Sequence, residues 1–359
     1  MLPLLWLLGA ADGQRRAVAE YLDLMGFGPQ PTPSRSFVTT DRCRLFRFGD
    51  APSGRPAVLL VPAPIKTGEL WDLAPEVSVV RRFLEAGFAV YRMEWPEWTR
   101  ADAGVGLDAL ISTHLAGCLD VVGERAGAGG VLVCGHSLGG TLAALAAARY
   151  PERVAGLVLL ASPLHFAPDS SALDRLADDA GAVSGWSRDT ALIPGSLLTL
   201  LAAAASPGEF VMRRGADWLT VIGDPAKMRR HLQMERWSLA EKPMPRALFM
   251  DLVERLYRAD GFCAGTVVID GRAALPANLE QPLITVLDAG CDLVTGASVE
   301  PALERLGTRD RQLLYHDGDR DLPVRHLSLL IGSDAHASIW PRLLAWACQR
   351  LAVPRGEVP

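Results

Sequence analysis

An α/β fold with a mostly parallel central sheet, helices on both faces and an inserted helical cap is predicted by three observations. Short apolar runs alternate with helical stretches through the first half of the chain. The alternation lapses over residues 163–278, and strand-like runs then return before a last helix. Alternating strands and helices imply crossover connections and a parallel sheet covered on both sides. An interruption between two parts of one sheet is how a cap over a site shows itself in sequence.

In order, residues 43–48 read as an edge strand and 57–61 as a central one. An amphipathic helix is expected over 76–86, a strand over 89–93 and a long helix over 107–125. Residues 131–134 form an apolar run, 141–150 an Ala/Leu-rich helix stopped by Pro151, and 156–161 the next strand. The stretch 163–278 is helical with irregular joints and holds Trp186, Trp218 and Trp237. Strands are expected again at 283–287 and 312–315, and a helix at 340–351. The organisation read from this is a helical segment (1–40), a first core part (41–162), a cap (163–278) and a second core part (279–359). The apolar start, residues 1–11, lacks a basic leader and reads as the first packed helix rather than a signal peptide.

Composition narrows the function. The 359 residues carry a net charge of −5 without a basic patch, so nucleic acid is not an expected partner. The six cysteines are scattered with no C-x-x-C pair, which points to reduced thiols in a cytoplasmic protein and to no metal centre. The apolar block at 197–205 is too short to span a bilayer.

The most informative residues are Gly135-His136-Ser137-Leu138-Gly139-Gly140, between an apolar strand and a helix. Strand, G-x-S-x-G, helix is the context of a nucleophile elbow, with Ser137 held out on a tight turn. The helix behind it aims its free N–H groups at an oxyanion formed beside Ser137. Leu138 N–H is one oxyanion donor. The other is expected from Pro62-Ala63-Pro64-Ile65; the prolines have no N–H, which leaves Ala63 or Ile65.

A serine nucleophile needs a base and an orienting acid, here following it in the order acid, histidine. His326, just before the last helical region, is the expected base, with His336 in reserve. His136 cannot turn back on its neighbour, His114 and His231 sit in helical stretches, and His165 is a candidate for the pocket wall. His316 stands at a strand end, beside acidic Asp317, Asp319 and Asp321, which read as a solvated loop. For the acid, Asp288 and Asp292 compete after the 283–287 strand. Asp292 has the better spacing, although an Asp capping the next helix fits it too.

These residues resemble a specific family. Pro62-Ala63-Pro64-Ile65 with Asp72-Leu73-Ala74-Pro75-Glu76, and Val90-Tyr91-Arg92-Met93-Glu94-Trp95, are similar to segments of polyhydroxyalkanoate synthases, in the α/β-hydrolase superfamily. So are Gly139-Gly140-Thr141-Leu142, Pro151-Glu152-Arg153-Val154, Ile193-Pro194-Gly195, Met234-Glu235-Arg236-Trp237 and Gly261-Phe262. His326, Ala335-His336 and Trp340-Pro341 continue the match, which runs from about Asp41 to the last helix and is closest to the short, two-subunit class. The resemblance implies a cofactor-free acyltransferase on (R)-3-hydroxyacyl-coenzyme A thioesters, associated with polyester granules and a second synthase subunit. Homo-oligomerisation is left open.

The departures are as informative. The family uses cysteine where this chain has Ser137, which moves the expectation towards hydrolysis of 3-hydroxyacyl esters, polyester or thioesters. A third reading is a non-catalytic relative that binds granules or a synthase. The family's Asp-Trp-Gly is Glu94-Trp95-Pro96 here, and its paired glycine before the base is Val324-Arg325. Matched without gaps, Cys291 rather than Asp292 falls on the family's aspartate, so Asp292 serves only if the loop shifts by one residue.

Overall fold

A strand buried on both faces is mostly apolar, and four segments of this chain are buried throughout, with polar residues such as Glu94, His136 and Asp288 at their carboxyl ends. The computed structural model describes residues 2–39, 41–49, 54–126, 130–167, 169–179, 190–213, 218, 221–319, 322 and 324–351. Its main sheet has eight strands: β1 (Ser34–Val38), β2 (Arg44–Phe48), β3 (Ala57–Val61), β4 (Ala89–Glu94), β5 (Val131–His136), β6 (Val154–Leu160), β7 (Leu283–Asp288) and β8 (Arg311–His316). They lie in the order β1-β2-β4-β3-β5-β6-β7-β8. From β4 to β8 all pairings are parallel, while β1 and β2 add an antiparallel edge. Every residue of β3, β4, β5 and β7 is buried, whereas β1 and β8, at the two edges, are largely exposed. This is the fold the sequence predicts, except that residues 43–48 are not the edge: β1 pairs outside them.

Two helices differ from expectation in length. Helix α1 (Leu2–Leu22) is about twice as long as the apolar start suggests. It packs against the later helices α4 (Gly195–Ala205) and α5 (Pro225–Leu239). The helix expected from residue 76 begins later, as α2 (Val79–Glu85) behind a 3₁₀ turn at Pro75–Val77. Ser78 is the cause: its hydroxyl accepts the Arg81 N–H (2.9 Å) as an N-cap while donating to Asp72.

Residues 163–278 add no strand to the main sheet among the described residues. Their helices α4 and α5 face the carboxyl ends of the parallel strands across a cavity. Ligand sites in open α/β sheets lie at that end. Trp186 falls outside the described residues. Among them, no helix is long and apolar enough to cross a membrane.

Candidate active site

At the end of β5 the chain reverses into α3 (Leu138–Arg149) through a single residue. Ser137 holds that turn at φ 55, ψ −136, a left-handed conformation costly for a residue with a Cβ. Its N–H is bonded to the Leu160 carbonyl (2.9 Å), and its own carbonyl receives Gly140 N–H (2.9 Å). The flanking glycines are required by contact. A Cβ at Gly135 would strike the Gly140 backbone, one at Gly139 the Val61 carbonyl, and one at Gly140 the Ser162 hydroxyl. Strand, turn and helix are pressed together, which is what a nucleophile elbow needs.

His326 sits in the helical turn Arg325–Leu327, after β8, and is buried. Both His326 and Ser137 line one cavity of about 170 Å³. Burial, with the neighbouring His136 ring, holds the His326 imidazolium well below its usual pKa, so the ring is a neutral acceptor near pH 7. His136 has a role that sequence reasoning missed. Its Nε2 donates to the His326 carbonyl (2.9 Å), and the two ring centroids are 4.8 Å apart. His136, beside Ser137, thus holds the backbone of His326. Burial keeps His136 neutral as well, at a pKa of about 4.

The structure does not bring Asp292 to His326. The Asp292 residue is exposed, and its backbone carbonyl accepts Ala172 N–H (3.3 Å) at the start of the helix Ala172–Asp179 in the cap. The side chain facing His326 Nδ1 is Cys291, with Sγ at 3.6 Å. The gapless register is therefore the one the loop adopts. Cys291 N–H bonds to the Asp288 carbonyl (3.1 Å), a tight turn that leaves no slack for a one-residue shift. Burial, with the Glu209 carboxylate adding to it, pushes the Cys291 thiol up to about 12. Asp288, the other candidate, is buried but faces elsewhere. It receives Ser328 Oγ (2.6 Å) and Gly290 N–H (2.9 Å), with Arg325 Nη1 at 3.4 Å. Arg325 and Ser328 flank His326, so Asp288 clamps the turn that carries it.

The remaining expectations resolve individually. Leu138, Ala63 and Ile65 all line the cavity with Ser137. The loop holding Ala63 and Ile65 is fixed from outside: Trp95 Nε1 donates to the Pro62 carbonyl (2.9 Å), Glu94 accepts Gly68 N–H (2.8 Å), and Lys242 N–H reaches the Ile65 carbonyl (3.2 Å). The Glu94-Trp95 pair thus shapes the candidate oxyanion loop. His165 does not line the cavity but pairs with Asp260. His336 is buried against the Leu330 carbonyl (2.8 Å), away from Ser137. His316 ends β8, as expected, but the acidic residues beside it are not all solvated: Asp319 is buried with it, its carboxylate 3.1 Å from His316 Nε2, while Asp317 is exposed. Asp319 also caps the helix that starts at Ser333, which holds its carboxylate inward. Asp321 lies outside the described residues.

The cavity wall is mainly apolar, with Leu198, Phe210, Met234 and Trp237 from the cap opposite Leu327 and Leu330 from the core. One ion pair interrupts it, Lys66 to Glu241 at 2.5 Å. Such a lining suits an acyl chain over a polar ligand.

Fold and site together define an α/β hydrolase with a serine elbow. The chain belongs to the alpha/beta hydrolase fold family, whose pattern it matches over residues 56–264. Within that class it is similar to Poly(3-hydroxyalkanoate) polymerase subunit PhaC of Haloferax mediterranei, 24% identical over 84% of this chain and 60% of that protein. It is equally similar to the PhaC subunit of Allochromatium vinosum, 24% identical over 89% of each. The chain thus spans about three fifths of the archaeal subunit and most of the bacterial one. Among solved structures, a bacterial membrane phospholipase A shares the fold at a TM-score of 0.53 and 14% identity, covering 96% of this chain and 98% of that one.

Proposed function

We propose that this chain is a serine-nucleophile acyltransferase of the polyhydroxyalkanoate synthase kind, acting on (R)-3-hydroxyacyl-coenzyme A thioesters. The observation that carries this reading is the strained Ser137 sharing an apolar cavity with the neutral, buried His326. The similarity to polymerase subunits along most of the chain supplies the substrate class. His326 takes the Ser137 proton as Oγ attacks the thioester carbonyl. The oxyanion is met by Leu138 N–H at the start of α3 and by Ala63 or Ile65. As the C–S bond breaks, the proton passes from His326 to the coenzyme A sulfur, leaving an acyl-Ser137. The 3-hydroxyl of a second molecule then repeats the sequence, giving His326 its proton and taking the acyl group.

Serine in place of cysteine favours a second reading, in which water takes the acyl group. An oxygen ester at Ser137 lies downhill from a thioester, so the return step to coenzyme A is poor and hydrolysis competes. Purified protein incubated with (R)-3-hydroxybutyryl-coenzyme A tests both, with thiol release followed and products separated by size. Polymer supports transfer, and free 3-hydroxy acid supports hydrolysis. Full activity in Ser137→Ala overturns both. Ser137→Cys is expected to shift product towards polymer. The association with granules and a second subunit belongs to the same proposal. A Ser137→Ala protein that still binds polyester, beside a wild type without turnover, would instead favour the non-catalytic relative.

A further inference from the structure

His165 lies where the chain passes from β6 into the cap, and Asp260 and Cys263 lie where it returns. The fold brings these distant segments together: His165 Nδ1 is 2.7 Å from Asp260 Oδ2. The ligand atoms of His165, Asp260 and Cys263 all lie within 4.8 Å of one another. Cys263 is buried, whereas the His165 and Asp260 side chains keep 22% and 24% of their exposure, so the trio is open on one side. None of the three lines the cavity of Ser137.

We propose that this trio is a binding site for a borderline divalent cation, with Zn²⁺ the best match, and that the ion staples the two stems of the cap. Imidazole, carboxylate and thiolate from three side chains, with water on the open side, make a four-coordinate zinc set. Magnesium and calcium want oxygen alone, so the donor set discriminates against them. Charge balances too: the Asp260 carboxylate and a Cys263 thiolate offset the dication, the thiol proton passing to solvent on binding. Burial, with the Asp260 carboxylate adding to it, pushes the Cys263 thiol up to about 11 in the metal-free protein; Arg305, which donates to the Cys263 carbonyl (3.3 Å), offsets part of that, and the dication itself would supply the charge that displaces the proton. Asp260 is already aimed. Its other oxygen accepts Phe166 N–H (2.9 Å), and its backbone takes a left-handed φ of 46. Bonds of about 2.1 Å to zinc set two ligands roughly 3.3 Å apart, so the His165–Asp260 pair must open by only about 0.6 Å. The staple would bear on the active site through Phe166, whose ring packs on Tyr257 (4.8 Å), a cavity-lining residue.

The test uses the whole protein, stripped with a chelator and free of any purification tag, titrated with Co²⁺ and then Zn²⁺. The expected result is one equivalent of Co²⁺ with a thiolate-to-metal charge-transfer band, displaced by Zn²⁺. Cys263→Ser should lose the band, and His165→Asn should weaken binding at least about tenfold, since even outer-shell partners of metal ligands carry that much. Zn²⁺ should raise the melting temperature of the wild type and not of the variants. A cobalt complex without the band, less than one equivalent bound, or unchanged binding in both variants would each overturn the proposal. Because the wild-type spectrum decides by itself, a variant that fails to fold does not rescue it. Esterase activity does not enter the readout, so the proposal stands or falls separately from the function proposed for Ser137.

Discussion

At His326 the proposed catalytic arrangement turns on one atom type. An orienting carboxylate would accept Nδ1–H, leave Nε2 free to take the serine proton, and offset the imidazolium charge. Cys291 does neither well. With its pKa at about 12 it is a neutral thiol near pH 7, and its S–H competes to donate to Nδ1, which selects the wrong tautomer. Serine hydrolases whose acid is made neutral lose about 10⁴ in kcat, so Cys291→Asp is expected to raise kcat/KM by about 10²-fold or more. Cys291→Ser is the neutral control, and equal rates for Asp and Ser variants would remove Cys291 from the mechanism. The pH profile gives an independent reading. Because burial depresses the His326 pKa, the acidic limb of kcat/KM in the wild type should lie below the ordinary histidine value of about 6.5. A carboxylate at 291 favours the imidazolium, so the limb should move upward in Cys291→Asp. An unmoved limb would mean that another group titrates.

At the scale of elements, the site depends on how closely the elbow is seated and on how the cap is tied down. Gly139→Ala puts a methyl into the Val61 carbonyl and Pro62, which are backbone and cannot rotate aside. Overpacking of this kind costs about 1–3 kcal/mol, and the strand–helix seat has no free direction, so a loss near 3 kcal/mol in urea unfolding is expected together with loss of turnover. The cap is tied through α1. Asp12 accepts Gly195 N–H (2.9 Å), Ser196 N–H (2.7 Å) and Ser196 Oγ (2.5 Å) at the start of α4. Glu241 joins Arg15 of α1, Lys66 of the candidate oxyanion loop and Thr199 of α4. Asp12→Ala removes a helix cap worth about 1–2 kcal/mol and should lower the melting temperature while raising KM more than it lowers kcat. An unchanged melting temperature would show that α1 does not brace the cap. These elements differ in how far sequence reveals them. Strands β3, β5 and β7 were legible because burial on both faces forces unbroken apolar runs, and Ser137 because a sharp turn needs its glycines. His326 was legible from its place between the last strand and the last helix. The residue at its Nδ1 was legible only through the gapless family register, which puts Cys291 there; spacing alone favoured Asp292, since a one-residue register in a loop has no periodicity to reveal it. The ties from Asp12 and Glu241, and the meeting of His165 with Asp260 and Cys263, join segments far apart in the chain and leave no local pattern.

At the scale of the whole molecule, the same burial that keeps the site's histidines neutral sets the acid stability of the fold. His136, His326 and His336 are all buried, and burial lowers each pKa, to about 4 for His136 and His336. In the unfolded chain each would titrate near 6.5, so the unfolded state binds more protons as pH falls. The contribution is complete above about pH 6.5 and is lost progressively between there and about pH 4. Buried carboxylates act in the opposite direction. Burial raises Glu94 and Glu241 above the usual carboxylate range, so the folded state takes up their protons first and is favoured as pH falls. A pH titration of the wild type alone therefore mixes two opposing slopes. Comparing it with His336→Gln isolates one of them, because the carboxylates are common to both proteins. His336 donates from Nε2 to the Leu330 carbonyl and accepts Arg82 Nε at Nδ1 (3.4 Å); an amide can supply both groups without titrating. The stability of the wild type relative to His336→Gln should fall by about 3 kcal/mol between pH 7 and pH 4, measured by urea unfolding at each pH. A difference that stays constant with pH would mean that His336 is protonated in the folded state, and that the interior around α2 and α6 (Trp340–Arg350) is wetter than its packing implies.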